Sequence, residues 1–308
     1  MVFQITQVIR NTWAIVSGDS LHLRQQYALA AFNYLRAFIG PGGFATGAEP
    51  VPYWPKLRRF YDDNAWVGED LAMMYAGTKL SVLLRAAEAS FRFELTGRWR
   101  SSDPRGRHHY PGGIYWTTGR KVRNTCTEAG AIHMALLLYK ETHAGHLYLH
   151  FAKHLYWWTR WALGTAKGTY HERIGPSGTV TGSALLNCDA MMSSNGMMLA
   201  ADTGDAHYRA QAQRTRTATA RQYNLKQIEH TDPTFDSIYF YNTQPSSHLT
   251  LGAYAQYARA HIDPKTGLVS WRYPFHTFPS KGCVPSFACR QEQLAQAGTV
   301  GALVLANR

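Results

Sequence analysis

No apolar run in this 308-residue chain approaches the ~20 residues that a membrane-spanning helix requires. The opening stretch, MVFQITQVIRNTWAIV, has no basic segment ahead of a continuous apolar core, so it reads as an amphipathic helix and not as a signal peptide. Cysteine is scarce, with four in all: Cys126, Cys188, Cys283 and Cys289. None forms a CxxC pair and none has paired histidines beside it, which argues against a zinc site. Cys126 and Cys188 lie in apolar helical contexts and are expected to be buried thiols. Cys283 and Cys289 bracket a short loop and could close a small disulfide in an exported protein.

Acidic residues are also few, 20 against 32 Lys and Arg, for a formal charge of +12. That balance favours acidic partners such as anionic wall polymers, phosphorylated glycans, head groups or nucleic acid, without choosing among them. There is no zinc-finger spacing, no aromatic-basic RNA-binding box and no long Lys/Arg block, so no nucleic-acid partner is expected. No glycine loop fit to cradle phosphate and no nucleophile elbow occurs. Strand-rich segments alternating with helices are missing too, which disfavours a parallel-sheet fold.

What the chain does contain is hydrophobic content of 45% and aromatics at 13%, enough for one large core over residues 1–308 with no evident linker. Helical periodicity is read over 2–16, 20–38, 63–76, 79–95, 124–141, 146–164, 187–202, 206–224, 245–261 and 290–307. These segments pair through tight glycine turns, and glycine followed by short apolar residues recurs after successive hairpins at Gly43, Gly113, Gly178 and Gly267. These ten segments, with one more helix allowed in 227–245, make about eleven, near the twelve of an (α/α)6 toroid within boundary error. The expected fold is therefore all-α, a toroid of antiparallel helical hairpins.

Into this pattern the long loop 40–60 delivers Tyr61-Asp62-Asp63-Asn64-Ala65-Trp66, directly before the apolar helical run 67–76. Two readings of the adjacent carboxylates stand side by side. In one, Asp62 is an N-cap and Asp63 a first-turn acid, both stabilising the positive end of the helix. In the other they form an acid/base or nucleophile/acid pair beside sugar-stacking aromatics, since retaining glycosidases need two carboxyl groups only ~5 Å apart.

The motif Tyr61-Asp62-Asp63-x-Ala65-Trp66 at a helix start resembles the signature of glycoside hydrolase family 76, the endo-acting α-1,6-mannanases, which are (α/α)6 toroids. Gly112-Gly113-Ile114-Tyr115-Trp116, followed by Arg123-Asn124-Thr125, is similar to a second stretch of that family, and the terminal helix 291–307 to a third. The resemblance implies a retaining hydrolase with Asp62 as nucleophile and Asp63 as general acid/base, no obligatory metal or cofactor, and a mannan or mannose-containing wall glycan as partner. It also suggests an extracellular or envelope location, against the missing leader. A monomer is expected. Tyr61, Trp66, Tyr115, Trp116 and Asn124 are candidate substrate contacts, aromatic faces packing on pyranose C–H surfaces.

One segment departs from the family pattern. Where the family carries Tyr-Asn-Gln-Gly, this chain reads Leu186-Asn187-Cys188-Asp189-Ala190, which leaves Asn187 and Asp189 as substitute contacts, or Asp189 as a helix cap. His146, His150 and His154 share a helix face at i, i+4, i+8; without a zincin glutamate the expectation is a polar face, not a metal site. Two alternatives remain at this level. One is a toroid hydrolase acting on uronate glycans, with Arg58, Arg59 and Arg123 to pair the carboxylate. The other is a non-catalytic glycan-binding protein.

Overall fold

The computed structural model describes residues 16–36, 59–103 and 109–222, together with Thr6, Ile9, Arg10, Thr12 and Trp13 of a preceding helical segment and the short strands near residue 40. The segments expected at 245–261 and 290–307, and the Cys283–Cys289 pair, lie outside the described residues. Seven α-helices run through the described part: α1 (Leu21–Arg36), α2 (Tyr61–Thr78), α3 (Ser81–Thr96), α4 (Thr125–Thr142), α5 (His150–Leu163), α6 (Leu186–Thr203) and α7 (Ala206–Gln222).

They divide by how they bury. Helices α2, α4 and α6 are buried nearly all round, from first turn to last, and carry only weak amphipathic stripes. Helix α5 is markedly one-sided, burying Phe151, Leu155, Trp158 and Ala162 while Trp157 and Trp161 face outward. A helix hydrophobic all round belongs inside, one with a single apolar stripe outside. The packing follows that division: α4 lies against both α2 and α6, while α3, α5 and α7 back α2, α4 and α6 respectively. Inner and outer helices thus alternate as antiparallel hairpins, the arrangement of an α/α toroid.

Small residues let the inner helices approach closely. A Cβ on Gly68 of α2 would lie 2.1 Å from the Met134 sulfur of α4, and one on Gly130 would meet Ala65 at 3.1 Å. Helix ends have identifiable causes. Asn124 caps α4 by accepting from the Thr127 N–H at 3.0 Å. Lys79, His143 and Gly204 turn left-handed to close α2, α4 and α6. Helix α2 runs through Gly77 to Thr78, two residues past its expected end at 76. The segment expected as one helix from 146 begins instead with five residues wound more loosely, Gly145–Leu149, before α5.

A buried charge cluster ties the preceding helical segment to α2. Arg10 reaches Glu69 and Asp70, each at 2.8 Å, and its guanidinium lies 5.5 Å over the Trp66 ring. Burial raises Glu69 to about 8 and Asp70 to about 6, against the pull of Arg10. Between the helices, short strands pair antiparallel: β1 (Ile39–Gly40) with β2 (Gly43–Phe44), and β3 (Arg123–Asn124) with β4 (Arg173–Ile174), which pairs in turn with β5 (Val180–Thr181). These two-residue strands tie connecting loops together, leaving the all-α class unchanged.

The cysteines correct one expectation. Cys126 and Cys188 are joined as a disulfide across the first turns of α4 and α6, 62 residues apart in sequence. Apolar context made both look like thiols; only the alignment of two inner helices shows that they meet.

Candidate active site

The site is assembled where α2 begins. The loop carrying Trp116 is laid over that helix start by main-chain pairing: the Tyr61 N–H donates to the Trp116 carbonyl at 2.8 Å, and Phe60 bridges Thr117. Phe60 occupies the N-cap position and supplies no side-chain cap. Asp62 and Asp63 therefore fall inside the first turn, so Asp62 is not the N-cap that one reading expected. Both are partly exposed, whereas Tyr61 before them and Asn64 to Leu71 after them are buried. Both sit at the positive end of the helix dipole.

The two carboxyls have different surroundings. Asp62 Oδ2 accepts from the Trp116 indole N–H at 2.9 Å, and Asp62 Oδ1 from the Asp63 main-chain N–H at 3.0 Å. Among the described residues nothing donates to the Asp63 carboxyl. Burial, then the neighbouring Asp63 charge, raises Asp62 well above the ordinary carboxylate range, with the two hydrogen bonds pulling the other way. Burial raises Asp63 to about 6. The pair titrates together. Burial raises Asp62 further than Asp63, which alone would leave the shared proton on Asp62; the two N–H donors that meet Asp62, where among the described residues Asp63 has none, act against this and favour the anion there.

Two further acids stand behind this pair, and sequence reading did not single them out. Glu128 of α4 accepts the Ile114 N–H at 2.8 Å, and burial raises it to about 8. Glu94 of α3 is completely buried, with neither carboxyl oxygen hydrogen-bonded among the described residues; burial first, then the charges of Asp62 and Glu128, raise it well above its ordinary value. A signal for Glu94 was present: it continues the buried stripe Leu83, Ala87, Phe91 at helical spacing. The loop 112–116 thus meets Glu128 at Ile114 and Asp62 at Trp116. Its two glycines are required. Gly112 (φ +117°) and Gly113 (φ +76°) lie against Trp158, where added Cβ atoms would come within 2.6 and 2.3 Å of the indole.

The other expected contacts distribute unevenly. Tyr61 is buried, stacked on Phe93 at 4.7 Å with its hydroxyl at Thr96. Trp66 is buried against Arg10, and Tyr115 is buried with its hydroxyl donating to Asp103 at 2.9 Å. None of these three rings offers a face to solvent. Trp116 is partly exposed and reaches the site through its N–H, with Phe60 edge-on at 5.1 Å. Asn124 spends its side-chain oxygen on Thr127 as the α4 cap. Asn187 and Asp189 are buried in the first turn of α6, where Leu185 is the N-cap, so Asp189 is not a cap; it accepts the Tyr170 N–H at 3.0 Å. Among the described residues neither polar end of the Asn187 amide has a partner. Arg123 is buried under the loop, donating to the carbonyls of Tyr110 and Gly112, and is committed there and not to a ligand carboxylate. Arg58 lies outside the described residues.

With this geometry in place, the sequence profile of glycosyl hydrolase family 76 matches residues 49–247, about two thirds of the chain. The chain belongs to that family. Its enzyme class is glycoside hydrolase. Among curated proteins none matches it. Solved structures extend the likeness to the whole fold. A family-76 α-mannanase of Bacteroides thetaiotaomicron shares 17% identity at a TM-score of 0.75, covering 100% of this chain and 87% of its own. An α-1,6-mannanase of Salegentibacter sp. shares 17% at 0.69, covering 99% and 88%. A cellobiose 2-epimerase of Spirochaeta thermophila shares 12% at 0.64, covering 100% and 86%, so the toroid also houses other sugar chemistry.

Proposed function

We propose that this family-76 protein cleaves α-1,6-linked mannan with retention of configuration, Asp62 acting as nucleophile and Asp63 as general acid/base. The observation that carries the reading is the asymmetry of the pair: Asp62 accepts two N–H donors suited to an anion, and Asp63 stands beside it with a carboxyl raised to about 6 and no donor among the described residues. Support also comes from the Salegentibacter enzyme, whose inactive variants with two consecutive aspartates replaced are described in complex with α-1,6-mannotriose and α-1,6-mannotetrose.

In the first step the Asp62 oxygen forms a bond to the anomeric carbon as the bond from that carbon to the leaving oxygen breaks, and Asp63 gives its proton to that oxygen. In the second, Asp63 takes a proton from water, whose oxygen attacks the same carbon and returns Asp62 as a carboxylate. Two inversions leave the product in the α configuration.

Two measurements test this. The Asp62→Asn and Asp63→Asn variants, assayed on α-1,6-mannan, are expected to lose at least a thousandfold in turnover. Proton NMR of the earliest product is expected to show the α-anomer. Unchanged turnover in both variants, or a β-anomer appearing first, would end the proposal.

A further inference from the structure

Among the described residues that the chemistry of Asp62 and Asp63 does not use, the histidine ladder has a cavity attached. His146, His150 and His154 are exposed and face a single cleft of about 540 Å³, whose wall also includes Arg98. The cleft runs between the end of α3 and the first half of α5. It meets the candidate active site through the loop: residues 111–114 line the cleft, and Trp116, farther along, holds Asp62. Beside it a shallower depression shares His146 and His150 and adds Lys153.

Three facts describe what would fit. Among the described residues no acid lines the cleft and no carboxylate pairs with Arg98, whose guanidinium they leave without a countercharge. The three imidazoles likewise make no hydrogen bond among the described residues, leaving their N–H groups to donate outward in either charge state. The floor beneath them is apolar, formed by Leu95, Ile114, Phe151 and Leu155. Its size is that of a small-molecule cavity and not of a flat contact surface. No group of three ligating side chains poised for a metal ion occurs among the described residues.

We infer that this cleft is an accessory binding site for a pyranose bearing an acidic substituent. The sugar's C–H face would rest on the apolar floor, and its carboxylate or phosphate would meet Arg98 and the imidazoles of His150 and His154. A neutral hexose satisfies the floor but leaves the basic rim without a partner, and a bare anion satisfies the rim but leaves the floor in water. The site would hold an acidic branch or terminus of a glycan whose neutral backbone lies elsewhere on the protein. It does not depend on the roles given to Asp62 and Asp63.

The experiment is a titration of the full-length protein, by calorimetry and by NMR of the histidine Cε1–H resonances, with mannose 6-phosphate, glucuronic acid, mannose and inorganic phosphate. At least one acidic sugar is expected to bind at least tenfold more tightly than mannose and than inorganic phosphate, moving the His150 and His154 imidazole resonances together. Which acidic sugar binds better identifies the substituent. A triple Arg98→Gln, His150→Gln, His154→Gln variant with an unaltered melting curve is expected to lose that binding at least tenfold. The proposal is overturned if acidic sugars bind no better than mannose, if inorganic phosphate binds as tightly as mannose 6-phosphate, or if the histidine resonances stay still at millimolar ligand. Wild-type affinity in the triple variant also overturns it. Should the triple variant misfold, the wild-type NMR titration still separates these outcomes.

Discussion

Replacing Trp116 by Phe removes one N–H and keeps an aromatic ring, which makes it the sharpest probe of how Asp62 is held. The bond lost is the 2.9 Å indole donation to Asp62 Oδ2. A hydrogen bond to a charged acceptor is worth about 1.5–3 kcal/mol. If Asp62 attacks as an anion, that loss falls on the reacting state and lowers kcat/KM by about ten- to a hundredfold. The same bond pulls the Asp62 carboxyl down against burial and the Asp63 charge, so its removal lets the carboxyl rise further. Activity that needs ionised Asp62 is lost as pH falls, so the acid limb of the pH–rate profile should move upward. The assay is kcat/KM for α-1,6-mannotriose from pH 4 to 9, with a melting curve to show that the variant is folded. A folded Trp116→Phe protein with the wild-type acid limb and a rate within twofold of wild type would refute the argument that this indole sets the ionisation of the pair.

Three other outcomes follow from buried groups. Glu128, raised by burial from its ordinary value to about 8, favours the folded state most below its unfolded value of about 4.5, and that contribution is lost as pH rises toward 8. Glu128→Gln should flatten this decline, giving a chemical-denaturation stability less dependent on pH between 5 and 8; an unchanged slope would show that Glu128 ionises freely. Reducing the Cys126–Cys188 disulfide, which closes 62 residues of sequence, should cost up to about 4 kcal/mol on loop-entropy grounds, seen as a Tm several degrees lower in reductant and absent in the double serine variant. Arg10→Ala should strand the Glu69 and Asp70 carboxyls and destabilise the fold by about 3–5 kcal/mol in denaturant titration, whereas a surface change such as Arg85→Ala should stay within about 0.5 kcal/mol.

By itself the sequence determined the hairpin rhythm, because apolar periodicity and glycine turns are local properties that need no tertiary knowledge. It also located Asp62-Asp63 at a helix start, since capping chemistry and the switch from a proline-rich loop to an apolar run are written within a few residues. The aromatics were legible only as residue types. Whether a ring stacks on sugar or on Phe93, as Tyr61 does, depends on which way an inner helix faces once its neighbours close around it. The pairing of Cys126 with Cys188, the commitment of Arg123 to the loop carbonyls and the buried Glu94 beside Asp62 all join elements distant in sequence. Such contacts arise from helix packing, whose register no single segment encodes. The cleft of His146, His150 and His154 shows the same division: the spacing put three imidazoles on one face, and only the placing of α3 against α5 gave that face an apolar floor and an arginine.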